Sequence, residues 1–144
     1  MRKERIHELN NRTYLPGRYV LYRMQASVRI TNNQALFHAI RLANELNLPL
    51  KVVFRLDASF PEANFRHFEF LIQGLKDFAF GVSLLGCEFE IRTGTLEEAF
   101  LEPLSNAACV VTDKGYLRIQ RDWSGWLGEH APSKVIEVED NLIV

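Results

Sequence analysis

The chain has 144 residues, 47% hydrophobic and 24% charged, enough for one domain with a real core and too few for two ordinary ones. Seventeen Lys+Arg against eighteen Asp+Glu leave a formal charge of -1, which excludes a global positive field drawing the chain to nucleic acid or anionic lipid. Disorder and low complexity are excluded by the near-average globular composition.

In chain order, Arg2 to Leu9 reads as a short amphipathic helix. After the Pro16-Gly17 turn, the β-branched and aromatic run Tyr19 to Met24 predicts a strand. Apolar residues at Ala35, Leu36, Ala39, Ile40, Leu42, Ala43 and Leu46 have helical spacing. This helix opens after Thr31-Asn32-Asn33, with Asn33 the expected N-cap, and stops before Pro49. Leu50 to Phe54 is the next strand. Glu62 to Leu85 predicts one long helix with Pro61 at its first turn, where a missing N–H costs nothing, and Gly86 at its end.

Glu88 to Arg92 alternates like a half-buried strand. Thr95-Leu96-Glu97-Glu98 opens a helix running to about Leu104, its acids near the positive end of the dipole. Ala108 to Val111 is a continuous apolar run of the kind buried on both faces of a sheet. A helix over Leu117 to Leu127 and a strand over Val135 to Val138 complete the series. Strands alternating with helices, without Asn-Gly hairpin signals, imply right-handed crossovers. The expected fold is a three-layer α/β/α sandwich with a five-stranded parallel, Rossmann-like sheet, Tyr19 to Met24 and Ala108 to Val111 being its central buried strands.

In such sheets ligands bind beyond the carboxyl ends of the strands, at the switch point. This places a candidate binding crevice among Met24, Gln25, Arg29, Phe54 and the loop Asp113, Lys114, Gly115 and Tyr116. A Met thioether can cover an aromatic ring face and a Gln amide can bond a heterocycle edge. The plainer roles are Met24 as core filler, Gln25 as loop stabiliser, Arg29 as a surface ion-pair residue and Asp113 as a cap for the following helix. Arg118, Arg121 and Trp123 form a basic helical stretch that would serve as a docking surface or a solvated face.

Cys87 and Cys109 lack disulfide or zinc spacing and read as buried thiols. His7, His38, His67 and His130 have no second ligand at metal spacing, so no metal site is expected. There is no GxGxxG, P-loop, GxSxG or HExxH motif and no Cys-His pair at catalytic spacing, so no catalytic residues are expected. With no signal h-region and no run approaching ~20 apolar residues, a reducing, cytoplasmic location without membrane contact is expected.

Several blocks together resemble one known family. Tyr19-Val20-Leu21-Tyr22-Arg23-Met24-Gln25-Ala26-Ser27, followed by Arg29, Asn33, Ala35 and Leu36, resembles the first strand and loop of the N-terminal domain of the photolyase/cryptochrome superfamily, closest to class II cyclobutane pyrimidine dimer photolyases. Phe60-Pro61-Glu62-Ala63 with Arg66-His67-Phe68 is similar to a second block, and Val111-Thr112-Asp113 with Leu117-Arg118, Arg121 and Trp123 to a third. Val138-Glu139-Asp140-Asn141-Leu142-Ile143-Val144 resembles a fourth. Four ordered blocks in one register are far more specific than any single motif. Arg23 stands where the family usually has Trp, and Asn32 where it has an acid.

The resemblance implies that residues 1–144 form the antenna-binding α/β domain, which would hold an 8-hydroxy-5-deazaflavin-type chromophore. FAD and the lesion-binding surface would belong to a C-terminal helical domain outside these residues. That helical domain, in cis or in trans, is the expected partner, DNA being engaged only through it, and the isolated chain is expected to be inactive as a deoxyribodipyrimidine photo-lyase. Two other readings stand beside it. An adenine-nucleotide-binding α/β module would need a glycine-rich loop after the first strand, and Gln25 to Asn33 contains no glycine. A non-catalytic, photolyase-like remnant or interaction domain would associate, as a homo-oligomer or with a partner, through an apolar docking face left uncovered.

Overall fold

A computed structural model describes residues 6–25, 33–56 and 65–139. Six strands, β1 (Ile6–Glu8), β2 (Tyr19–Met24), β3 (Leu50–Leu56), β4 (Glu88–Thr93), β5 (Ala107–Asp113) and β6 (Lys134–Val138), alternate after β2 with four helices. These helices are α1 (Gln34–Leu46), α2 (Phe65–Leu84), α3 (Leu96–Ser105) and α4 (Arg118–His130). The strands form one sheet in the order β1-β6-β5-β2-β3-β4. The five strands β2 to β6 are mutually parallel where they pair, as the βα alternation requires. A sixth, β1, pairs antiparallel with β6.

This edge strand replaces the helix expected over Arg2 to Leu9, of which residues 1–5 lie outside the described part. A helix of eight residues cannot repay its own nucleation in water, whereas the open edge of β6 offers backbone partners. Leu9 N–H donates to Val135 O (2.9 Å), and Lys134 pairs with Glu8 (3.0 Å). Arg12 Nη1 then donates to the carbonyls of Gly128 and Ala131, holding the segment across the end of α4.

Alternation along the strands divides the core into two layers. Val20, Tyr22 and Met24 of β2, with Val52 and Phe54 of β3, pack under α1 and α2. Leu21 of β2, Val53 of β3 and Val110 of β5 pack under Phe100 and Leu104 of α3 and Leu127 of α4. Both β2 and β5 are buried along almost their whole length, as continuous apolar runs in a covered parallel sheet should be.

Helix ends follow local chemistry. Asn33 is the N-cap of α1: its Oδ1 accepts from Leu36 N–H (2.9 Å), and its Nδ2 donates to the Tyr22 hydroxyl (3.3 Å). The other residues of that approach, Thr31 and Asn32, lie outside the described residues, as do Pro61 and the rest of 57–64. α2 closes with Gly86 at φ +77°, Cys87 N–H reaching back to Val82 O, the left-handed ending for which glycine is suited. Thr95 and Glu98 exchange the reciprocal bonds of a capping box at α3. α4 continues three residues past the expected Leu127, to His130, before Pro132 stops it.

Two further expectations change. Thr112 and Asp113 continue β5 instead of starting a loop, because Arg23 of β2 and Val138 of β6 extend the pairing on either side. Cys109 is a buried free thiol, whereas Cys87 is only half-buried. Burial raises both thiols, Cys109 to about 11, so neither is a thiolate at neutral pH.

Asn33 joins a helix cap to the core through a buried amide, so its loss should exceed that of an exposed cap. Asn33→Ala is expected to lower unfolding stability by about 1–2 kcal/mol, and Asn33→Ser, which keeps an oxygen for Leu36 N–H, by less. Urea denaturation followed by circular dichroism measures both.

Candidate functional site

The candidate site starts from the sheet's branching. β2 leads to α1 on one face, while its neighbour β5 leads to α4 on the other, so the two chains part at the carboxyl ends of these strands. Gln25, the first residue beyond β2, bridges the gap. Its backbone N–H donates to Asp113 Oδ1 (2.7 Å), and its Nε2 donates to Asp113 O (2.9 Å) and lies 3.4 Å from Ser124 Oγ of α4. Gln25 Oε1 is buried and has no hydrogen-bond partner among the described residues.

Asp113 is fully buried at the end of β5 and does not cap α4. The backbone N–H left behind where β2 and β5 part draws the carboxylate inward. α4 opens instead with Gln120 Oε1 accepting from Leu117 N–H (3.2 Å). Beyond Asp113, Lys114 Nζ lies 5.4 Å over the Tyr116 ring and 4.0 Å from Glu139, and the Tyr116 hydroxyl donates to Glu139 Oε2 (2.6 Å). Gly115 is buried against Gln120, whose Cβ would stand 2.5 Å from a Cβ placed there, so the turn into α4 admits no side chain without displacing that residue. Tyr116, Leu117 and Ile119 form an exposed apolar rim outside it.

The structure therefore brings together Gln25, Asp113, Lys114, Gly115 and Tyr116 around the ends of β2, β5 and β6. Met24 and Phe54 are partners in the β2–β3 register and sit in the core beneath α1 and α2, as backing to this rim. Arg29 and the other residues of 26–32 lie outside the described residues. His67 falls in α2, with its side chain outside them as well. Among the described residues no cluster of His, Cys, Asp or Glu could hold a metal ion, and no helix is long and apolar enough to cross a membrane.

Arg23 is the unusual member of β2. On the α3/α4 face of the sheet it is 2% exposed, donates from Nη1 to Thr112 Oγ1 (3.3 Å) and lies 5.9 Å from the Phe100 ring. Burial pulls the guanidinium down to about 10; the fields of Asp113 and Glu137 oppose this, and that of Arg55 adds to it. Among the described residues no carboxylate forms an ion pair with it.

A second feature was missed by reasoning from the sequence. An open cleft of ≈ 660 Å³ lies between the β4–α3 turn and α4, lined by Arg55, Gly94, Thr95, Leu96, Trp123 and Trp126 among others. Arg55 Cζ stands 4.6 Å over the Trp123 ring, and its Nη1 donates to Gly94 O (2.8 Å). Trp126 stacks on His130 at 4.3 Å. The available signal was the spacing of Trp123 and Trp126, three apart on one helix and so on one face.

The described groups can orient a ligand by hydrogen bonds and ring contacts at the ends of the strands, the arrangement of a binding domain built on a doubly wound α/β sheet. Comparison with known proteins gives the family. The family model described as DNA photolyase matches residues 20–144. The chain is 42% identical over 142 residues to a deoxyribodipyrimidine photo-lyase of Methanothermobacter thermautotrophicus, covering 98% of this chain and 32% of that protein. It is 35% identical over 101 residues to the Arabidopsis thaliana protein of the same name, covering 69% of this chain and 20% of that one. A class III photolyase from Agrobacterium tumefaciens superposes with a TM-score of 0.70 at 17% identity, over 88% of this chain and 27% of that chain, a likeness of fold. The chain belongs to the DNA photolyase family and corresponds to its N-terminal α/β domain. It spans about a third of the first of these relatives and a fifth of the second.

Two stability changes follow from the buried charges. Arg23→Met keeps most of the volume and removes a desolvated cation; it should raise unfolding stability at pH 7 by roughly 1–3 kcal/mol, read from urea midpoints. Burial holds the Glu137 carboxyl above its usual range, against the lowering fields of Lys114, His7 and Arg23 and with that of Asp113. The native state thus binds this proton more tightly than the unfolded chain, so the Glu137 contribution favours folding as pH falls through the raised native pKa and opposes it above. Glu137→Gln should therefore be stabilising at pH 7 and remove that part of the slope in a denaturation series from pH 7 to 4.5.

Proposed function

We propose that this chain acts as the antenna-binding α/β domain of a class II-type cyclobutane pyrimidine dimer photolyase. Its rim at Gln25 and Asp113 to Tyr116 holds an 8-hydroxy-5-deazaflavin-type chromophore, which passes excitation to FAD in a helical domain supplied in cis or in trans. DNA is engaged through that helical domain alone, and light-driven dimer splitting belongs to the assembled protein in the cytoplasm. The observation that carries this reading is the 42% identity to a photo-lyase over 98% of the chain. The class II assignment rests on the Met24-Gln25-Ala26-Ser27 block and the three blocks that follow it.

The residues present fit such a group at one atom in particular. Gln25 Oε1 is buried without a partner among the described residues, an acceptor available to a ring N–H, and leaving a buried acceptor unpaired costs on the order of 1–3 kcal/mol. The chromophore supplies absorption and energy transfer. The chain supplies orientation through the Gln25 amide, itself held by Asp113 and Ser124, and exclusion of water by the packed residues behind it. Tyr116, Leu117 and Ile119, exposed beside the rim, offer the apolar surface against which a helical domain completes the pocket wall.

Titration of 8-hydroxy-5-deazaflavin into wild type, Arg23→Trp and Gln25→Ala, each alone and with a class II helical domain in trans, tests this. Wild type alone should bind weakly, the helical domain should tighten binding, and Gln25→Ala should weaken it about tenfold. Binding absent in all three proteins even with the helical domain overturns the antenna reading in favour of a non-catalytic interaction domain.

A further inference from the structure

The sheet ends in two edges, and the chain treats them differently. At one end β1 is only 3 residues long, and the chain leaves it at once to cross the end of α4. At the other end β4 runs for 6 residues, Glu88–Thr93, in unbroken parallel register with β3 and without a bulge. Among the described residues no element pairs with the outer side of β4. Alternate backbone N–H and C=O groups along it therefore face outward, a row of donors and acceptors that can take another strand.

Edge strands are commonly blunted by proline, by a bulge or by lysine. The run Glu88-Phe89-Glu90-Ile91-Arg92-Thr93 contains none of these. Ile91, in the middle of the strand, is 44% exposed although its register partner Phe54 is buried. By alternation it stands on the α2 side with Phe89, which packs edge-on against Phe78. Glu90 and Arg92 stand on the other side, paired with each other and backed by Lys51 and Glu102. One side of the edge thus offers an uncovered aliphatic side chain, and the other offers charges of alternating sign.

We propose that β4 is a homodimer interface, at which two copies of this chain join their edges antiparallel about a two-fold axis normal to the sheet. Such an axis keeps each face of the sheet on its own side, so residues set opposite one another must belong to the same face. Charge then selects the register, because like charges directly opposite are unfavourable. Centring the axis on Phe89 sets Glu88 opposite Glu90, and centring it on Glu90 or Arg92 sets that residue opposite its own equivalent. Only centring on Ile91 pairs Glu90 with Arg92, twice over, while the two exposed Ile91 side chains cover each other and Phe89 faces Thr93. Main-chain hydrogen bonds supply the affinity of such strand addition and the facing side chains its register. β3 stands between this edge and β2, which carries the Gln25 rim, so the interface does not depend on the antenna reading.

Sedimentation equilibrium of the full chain tests this. Wild type should pass from monomer to dimer with a Kd of about 1–100 µM, the range suited to so short an edge. Ile91→Lys, which sets two ammonium groups opposite each other at the axis, should weaken the dimer at least about tenfold. Glu90→Arg and Arg92→Glu should each do the same alone, since each brings like charges face to face. Mixed in equal amounts, these two variants should form a heterodimer at about the wild-type Kd, because one edge then carries only cations and the other only anions. Circular dichroism checks that each variant is folded. Hydrogen exchange of the wild type needs no variant: amides within Phe89 to Thr93 should gain protection as protein concentration rises. A wild type still monomeric at about 500 µM, a dimer that Ile91→Lys leaves intact, no heterodimer from the two folded variants, or concentration-dependent protection outside β4 overturns the proposal.

Discussion

Where β2 and β5 part, the chain must satisfy a backbone that no longer has a sheet neighbour, and the rest of the site depends on how it does so. Parallel strands that feed helices on opposite faces open a gap at their carboxyl ends. A backbone N–H buried there needs an acceptor. Asp113 supplies it at 2.7 Å from Gln25 N. That requirement buries a carboxylate at the top of the sheet, turns the Gln25 amide toward α4, and sends the chain after Asp113 sharply through Gly115 into Tyr116. A gap inherent to the topology thereby becomes a rim of oriented polar groups over an apolar floor.

The two faces of the sheet respond differently to the polar residues at this end. The α1/α2 face is closed by Met24, Phe54 and the helix apolar stripes. The α3/α4 face carries Arg23, Arg55, Thr112 and Glu137 near its carboxyl end, and there the helices leave an open cleft. Buried charge works against close packing because each ion gives up hydration that hydrocarbon contacts cannot replace. Arg23 shows this most clearly: an apolar side chain at its place in β2 would be expected from the run Val20, Leu21, Tyr22, and the structure holds a cation there with one hydrogen bond.

Membership of the DNA photolyase family and this geometry support each other at different levels. The family match runs through every described strand from β2 onward. It accounts for the doubly wound sheet whose strands part at their carboxyl ends. It says nothing of Arg23, or of the cleft lined by Trp123 and Trp126 between the β4–α3 turn and α4.

By itself the sequence determined the parallel α/β alternation, the five strands from Tyr19 onward, the Asn33 cap and the Gly86 stop. These follow from period-2 and period-3.6 apolar spacing and from short-range capping chemistry, both written in neighbouring residues. Tertiary structure decided what depends on residues far apart in the chain. Ile6 to Glu8 became a strand because β6, some 130 residues away in sequence, offered an edge that no local propensity could announce. Asp113 became the acceptor for Gln25 and not a helix cap because the nearest unsatisfied N–H belonged to another strand. Arg55 met Trp123 across β3 and α4 for the same reason: a contact between distant segments is set by how faces pack, and a one-dimensional pattern records which face a residue occupies but not what that face will meet.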